Sequence, residues 1–219
     1  MNKNCPLTDD AQLYLRHFHQ ILDNMIHNMT CAELNESVSH NFITQMIPHH
    51  EGAIEMSRNL LCFSPNAVLR DIALTIVTEQ TRSIQDMLAI LCKCREFTNC
   101  RPALCAYQNQ VKDIFRRMFC SMRNACADTN IDNNFMREMI PHHRGAVEFS
   151  ALTLKYCICP QLKPILRQII VSQNQEICEM EHLLRCKSIA GTKHLTSIYG
   201  DDSSEKQSVS ICTENKRTD

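Results

Sequence analysis

Adding 93 to a residue number carries one half of this 219-residue chain onto the other without a gap. Met46-Ile47-Pro48-His49-His50 meets Met139-Ile140-Pro141-His142-His143, and Phe42 meets Phe135. Gly52, Ala53 and Glu55 then meet Gly145, Ala146 and Glu148, so nine of the fifteen positions from Phe42 to Met56 are identical to their counterparts. The same offset holds far outside that segment. Met25 and Met29 fall on Met118 and Met122, Gln80 on Gln173, Ile84 on Ile177, Met87 on Met180 and Leu91 on Leu184. A short motif can recur by chance, but a register kept over about 70 residues marks an internal duplication of one supersecondary unit.

Each copy reads as three helices. Only four glycines and seven prolines interrupt the chain, which favours helices over a strand-and-turn architecture. The first helix runs from Thr8, a good N-cap, to Met29, with Leu15, Phe18, Leu22, Met25 and Met29 on one face. A polar stretch from Cys31 to Ser39 separates it from the second helix. There Phe42, Met46, His49, Ala53, Met56 and Leu60 step by three and four. Ser64-Pro65 turns the chain into a third helix, with Leu69, Ile72, Ile76, Gln80, Ile84, Met87 and Leu91 inward. The second copy repeats this over 104–124, 130–156 and 160–186, after a linker at 95–103. The expected fold is therefore all-α: a helical bundle of two tandem three-helix repeats, 8–94 and 103–187, related by pseudo-twofold symmetry. Residues 188–219 are polar and aperiodic and read as a disordered tail.

Pro48 and Pro141 fall inside the second helix of each repeat, where proline normally breaks or bends a helix. The apolar spacing passes through both without a phase slip. A continuous, kinked helix is preferred over one that starts at the proline. Such a kink would release the carbonyls of Thr44 and Arg137 beside the histidines.

Several function classes are disfavoured. A net charge of −1 gives no electrostatic footprint for nucleic acid or an anionic membrane. No apolar run approaches the roughly 20 residues of a membrane span. Met1 to Asp10 lacks the apolar stretch of a signal peptide, so a cytoplasmic location is expected. No Ser-His-Asp order, Gly-rich phosphate loop or Cys-x-x-Cys motif is present. A di-iron carboxylate centre requires repeated Glu-x-x-His on facing helices. Only Glu179 and His182 have that spacing, and their counterparts Asp86 and Ala89 lack it.

The residues suited to chemistry are thioethers and imidazoles. The inward faces present Met25 and Met29, then Met46 and His49, with His50 about 100° around the helix, then Met87; the second copy supplies Met118, Met122, Met139, His142, His143 and Met180. Apolar cores are usually filled with Leu, Ile and Val. Thioether sulfur is a neutral, soft ligand that favours Cu(I), and imidazole suits copper or another transition metal. Such a set holds a copper ion without burying carboxylate charge. Imidazole must be neutral to bind, so its reference pKa near 6.5 predicts weakening below about pH 6. The competing reading is structural: Met fills gaps in cores, and Gly52 and Gly145 then serve only close helix contact.

Fourteen cysteines stand apart from this set, because none maps onto another cysteine under the offset. They gather near helix ends and in the linker. In a chain without an export signal they read as reduced thiols or metal thiolates. They also support the alternative function, a Cys-rich structural or interaction module cross-linked into an assembly such as a homo-oligomer. An oxidase with a metal centre is a third reading.

The segment Met-Ile-Pro-His-His-x-Gly-Ala-x-Glu-Met resembles a bacterial family catalogued as domain of unknown function 305. The resemblance extends to Gln173-x-x-Glu176-Ile177-x-x-Met180 and to the Met-x-x-x-Met of the first helix, over about 10–187. It implies a ferritin-like helical bundle, with copper binding associated with some members. The chain departs from the family pattern at Ser83, where the third helix carries a glutamate, and at Phe149, where the motif ends in Met. The export signal common in the family is missing, and the cysteine load lies outside its pattern.

Overall fold

The computed structural model of the chain describes residues 6–198. Helix α1 spans Asp9–Thr30, α2 Val38–Phe63, α3 Ala67–Glu96, α4 Arg101–Arg123, α5 Ile131–Thr153 and α6 Leu162–Ile198. Among the described residues there is no strand. The protein is an all-α bundle of two three-helix repeats.

Local chemistry sets the helix starts. Thr8 Oγ1 accepts the Ala11 N–H at 3.2 Å, and Asp9 and Asp10 place negative charge against the positive end of α1. Ser37, Asn66 and Asn130 cap α2, α3 and α5 in the same way. Helix α4 instead carries Pro102 in its first turn, where the missing N–H costs nothing. Both α2 and α5 run unbroken through their prolines. The continuous-helix expectation holds.

Two boundaries differ from the sequence reading. The linker between repeats is 97–100, shorter than 95–103, because the last turn of α3 continues to Glu96. Helix α6 continues to Ile198, past the expected start of the tail at 188; residues 199–219 lie outside the described residues. A polar, aperiodic composition does not prevent a helix that is already nucleated from propagating. The first repeat and the second as far as Leu184 lie within one compact unit; a second unit begins at Arg185, and its described residues are helical.

Helix α2 packs on α1, α3 and α5, and α5 also packs on α4. The α2–α5 pair is therefore the centre of the bundle. Burial of Tyr14, Phe18, Leu22, Phe42, Leu60, Phe135 and Phe149 supplies the apolar driving force, about 1.5–3 kcal/mol for each large side chain. Polar contacts then stitch the repeats together reciprocally. Ser39 Oγ, in the first turn of α2, accepts the Cys159 N–H from the turn before α6 at 2.8 Å. Its counterpart Asp132, in the first turn of α5, accepts the Ser64 hydroxyl from the turn before α3 at 2.5 Å. The 93-residue offset is thus a pseudo-twofold relation in space.

Candidate metal centre

All twelve Met and His residues singled out by the sequence are buried, none more than 4% exposed. The four histidines meet on the pseudo-twofold axis. His49 of α2 and its counterpart His142 of α5 stack with ring centroids 3.7 Å apart and planes 28° apart. His50 and His143 flank this stack, with centroids 5.9 Å from His49 and 5.6 Å from His142.

Hydrogen bonding makes the two halves of this layer unequal. The His49 carbonyl can only accept, so the ring nitrogen Nε2 of His142, 3.2 Å away, carries the proton. Nδ1 of the neutral His142 ring is then bare and accepts from Nδ1–H of His143 at 3.4 Å. Nε2 of His143 lies 2.7 Å from Oε2 of Glu176, a charge contact without hydrogen-bond alignment. In the first repeat Ser83 replaces that glutamate and meets Nε2 of His50 at 3.1 Å. Nδ1 of His50 and both ring nitrogens of His49 have no hydrogen-bond partner. The second repeat occupies its imidazoles; the first leaves three buried nitrogens open.

Burial keeps the His49, His50 and His142 rings uncharged. Desolvation first, then repulsion from neighbouring histidines, holds His49 and His142 well below the usual histidine range. The same causes push His50 down to about 3. A neutral imidazole with a free lone pair is the form that ligates a metal.

The methionines sit around this layer. Met46 and Met139 lie one turn before His49 and His142 on the same faces of α2 and α5. Met25 of α1 and Met118 of α4 rest on Gly52 and Gly145, one turn beyond those histidines. A Cβ at Gly52 would stand 2.7 Å from Met25 Sδ, and one at Gly145 would stand closer still to Met118 Sδ. The glycines are therefore the seats of two thioethers, which is the close helix contact expected of them. Met29 and Met122 continue the inner faces of α1 and α4, and Met87 and Met180 those of α3 and α6. Glu148 is exposed and paired with Arg117 at 2.6 Å, a flanking role.

Sequence reasoning missed the cavity that this layer opens onto. Between α3 and α6, about 250 Å³ is lined by His50, Gln80, Ser83, Gln173 and Glu176 among others. Gln80 is buried with both amide atoms unpaired, and its counterpart Gln173 has an unpaired Oε1. Buried amides without partners are costly, and both of these glutamines line the cavity. The retained Gln80/Gln173 pair was the signal; what it lacked was the partner helix. Among the described residues, no three of His, Cys, Asp and Glu converge on a single metal position.

The sequence profile of the family described as Domain of unknown function (DUF305) matches residues 10–91 and 114–192. No curated protein matches the chain. Two solved structures are similar to it. A structure described as CopM in the Ag-bound form (by soaking) is 24% identical, with a TM-score of 0.52 over 69% of this chain and 97% of that one. A DUF305 fragment from Deinococcus radiodurans is also 24% identical, with a TM-score of 0.49 over 67% and 95%. These similarities concern the bundle itself.

Proposed function

The chain belongs to the DUF305 family, and on that premise we propose that it binds and stores or hands on copper, as Cu(I), through its buried Met and His side chains. The carrying observation is the set of neutral, unpartnered nitrogens on His49 and His50, enclosed by duplicated thioethers. An apolar core gains nothing from imidazoles left without partners, whereas a soft cation would satisfy them. Because no three harder donors converge, thioethers supply the rest of the donor set. Met25, Met29, Met46 and Met87 serve the first repeat, and Met118, Met122, Met139 and Met180 the second. Thioethers and neutral imidazoles add no charge, so the monovalent ion suits this interior better than a divalent one. CopM, a protein of similar fold, was solved with another soft monovalent cation, silver.

The two repeats are not equivalent in this reading. His49 and His50 are ready ligands, while His142 and His143 must first release the chain of contacts that ends at Glu176. The cavity between α3 and α6, with Glu79, Asp86 and Glu176 in its wall, is the cation's route to His50. Copper-to-protein stoichiometry by competition with a Cu(I) chelator, under reducing conditions, tests the proposal. At least one tightly held copper ion per chain supports it once exposed thiols are blocked. None under those conditions overturns it.

A second reading draws on the exposed thiols. Cys31, Cys62, Cys92 and Cys100 in the first repeat and linker, and six more in the second repeat, face solvent. That distribution favours cross-linking between copies. Mass analysis of oxidised protein on non-reducing gels distinguishes it: covalent oligomers are its signature.

A further inference from the structure

Two cysteines among those described are buried, Cys94 and Cys159. They come from different repeats, Cys94 from the last turn of α3 and Cys159 from the turn before α6. The two residues are near neighbours, close enough for their thiols to interact electrostatically. The backbone on both sides is pinned to the start of α2. Ser37 Oγ donates to the Cys94 carbonyl at 2.6 Å, and Ser39 Oγ accepts the Cys159 N–H at 2.8 Å. Asn99 adds a third tie, accepting the Val38 N–H at 2.9 Å and donating to the Cys157 carbonyl at 2.7 Å.

Symmetry shows that this pair is not a by-product of the duplication. The counterparts of Cys94 and Cys159 are Lys187 and Asn66. Asn66 is a helix cap that bonds Asp132 at 3.2 Å. The thiol pair therefore exists at one of two equivalent junctions, on a backbone held rigid by the same kind of contacts.

A single buried cysteine packs as a small, inert hydrophobe. Two side by side, each with its backbone tied to the start of α2, are a pair of soft donors of the kind that selects Cu(I). Burial, and then the neighbouring Cys159 thiol, push Cys94 up to about 12, so its thiol rests protonated. A bound cation supplies the positive charge that desolvated thiolates lack, and a coordinating thiol is deprotonated outright.

We propose that Cys94 and Cys159 form a separate bis-thiolate site for a soft monovalent cation of the Cu(I) class at the junction of the two repeats. Binding forms two sulfur–metal bonds and releases two thiol protons to solvent; no oxidant or reductant takes part. The site is independent of the imidazole layer. Ser39 and His49 are ten residues apart on α2, about 15 Å of helix.

The test uses the full reduced chain with its exposed thiols alkylated in the native state, which leaves the buried pair free. Cu(I) is then titrated against a chelator while thiolate-to-copper absorption in the ultraviolet is followed. The wild type should show that absorption, and Cys94→Ala/Cys159→Ala should lose it together with one copper ion per chain. Cys92→Ser, at an exposed neighbour, should keep both. His49→Ala/His142→Ala should keep the absorption even where it loses other copper, which separates this site from the imidazole layer. Should the double alanine variant unfold, Cys159→Ser, outside any helix, replaces it with the same expected loss. Unchanged absorption and stoichiometry in the cysteine variants, or no such absorption in the alkylated wild type, would overturn the proposal.

Discussion

His49 and His142, 93 residues apart in the chain, stack ring on ring at 3.7 Å. A residue that packs on its own symmetry counterpart lies on the symmetry axis, so this contact marks the centre of the bundle. Two charged imidazoles at that separation, out of water, would repel strongly. The stack is therefore stable only while these two rings are neutral.

That condition predicts acid lability of the metal-free protein. His49, His50 and His142 have folded pKa values below the unfolded value of about 6.5, with His50 at about 3. Unfolded chains bind protons at these three positions below about pH 6.5 while the folded rings do not. Stability is fully present above about pH 6.5 and falls as pH drops toward the folded values, by about 1.4 kcal/mol per pH unit for each ring. Urea midpoints measured from pH 7 to pH 4.5 should decline steeply. His50→Gln should flatten that decline, and a flat wild-type profile would contradict the neutral layer.

Glu138 predicts the opposite slope at higher pH. Its carboxyl is buried beside Tyr14, whose hydroxyl donates to it at 2.7 Å, and burial pushes its pKa up to about 8. A raised folded pKa gives stability that is fully present below about pH 4.5 and is lost as pH rises through 8. The counterpart position holds Gln45, which is buried and bonds the Met29 carbonyl at 3.2 Å. Glu138→Gln should therefore be tolerated and should stabilise by on the order of 3 kcal/mol at pH 7. Thermal melts at pH 6 and pH 8.5 check this, with the larger gain expected at pH 8.5.

Much of the fold was legible because periodicity encodes which face of a helix turns inward. The offset of 93, the six helices, the unbroken passage through Pro48 and Pro141, and burial of the Met residues, His49 and His142 follow from it; burial of His50 and His143, off the inward stripe, does not. What a one-dimensional pattern omits is which faces meet. Nothing in the spacing shows that His49 touches His142, that α3 and α6 enclose a cavity, or that Cys94 reaches Cys159. The mismatched pair Gln45/Glu138 was visible in the alignment of repeats. Its meaning depended on Tyr14, 124 residues away. The extent of α6 was misread from composition, which reports solvation and not helix propagation.

The glycine seats give a packing prediction. Gly52→Ala gains helix propensity of about 1 kcal/mol, but its Cβ would meet Met25 Sδ at 2.7 Å and Cγ at 2.9 Å. Overpacking of this kind costs about 1–3 kcal/mol, so a net loss of about 1 kcal/mol is expected. Gly145→Ala should lose more, since Met118 Cγ would be 2.7 Å away and its sulfur closer. Melting temperatures should fall in the order wild type, Gly52→Ala, Gly145→Ala. Copper affinity should fall in both variants, because each displaces a thioether. A rise in melting temperature for both would show that the seats are not tight.

Copper binding should also resist acid more than free histidine chemistry suggests. The reference pKa predicts weakening below about pH 6, whereas buried rings that stay neutral have no proton to give up at that pH. In buffers where the fold survives, Cu(I) affinity should differ little between pH 7.5 and pH 5.5. A tenfold or greater loss over that interval would place the ligating imidazoles in solvent.

The most direct measurement is a Cu(I)-chelator competition titration of wild type beside His49→Ala/His142→Ala, with exposed thiols alkylated and helicity monitored. The double variant should stay helical and bind copper at least about tenfold more weakly, a difference of about 1.4 kcal/mol, with residual affinity from the thioethers. Equal affinity in wild type and variant, or no copper held by either, would contradict a copper site at the imidazole layer.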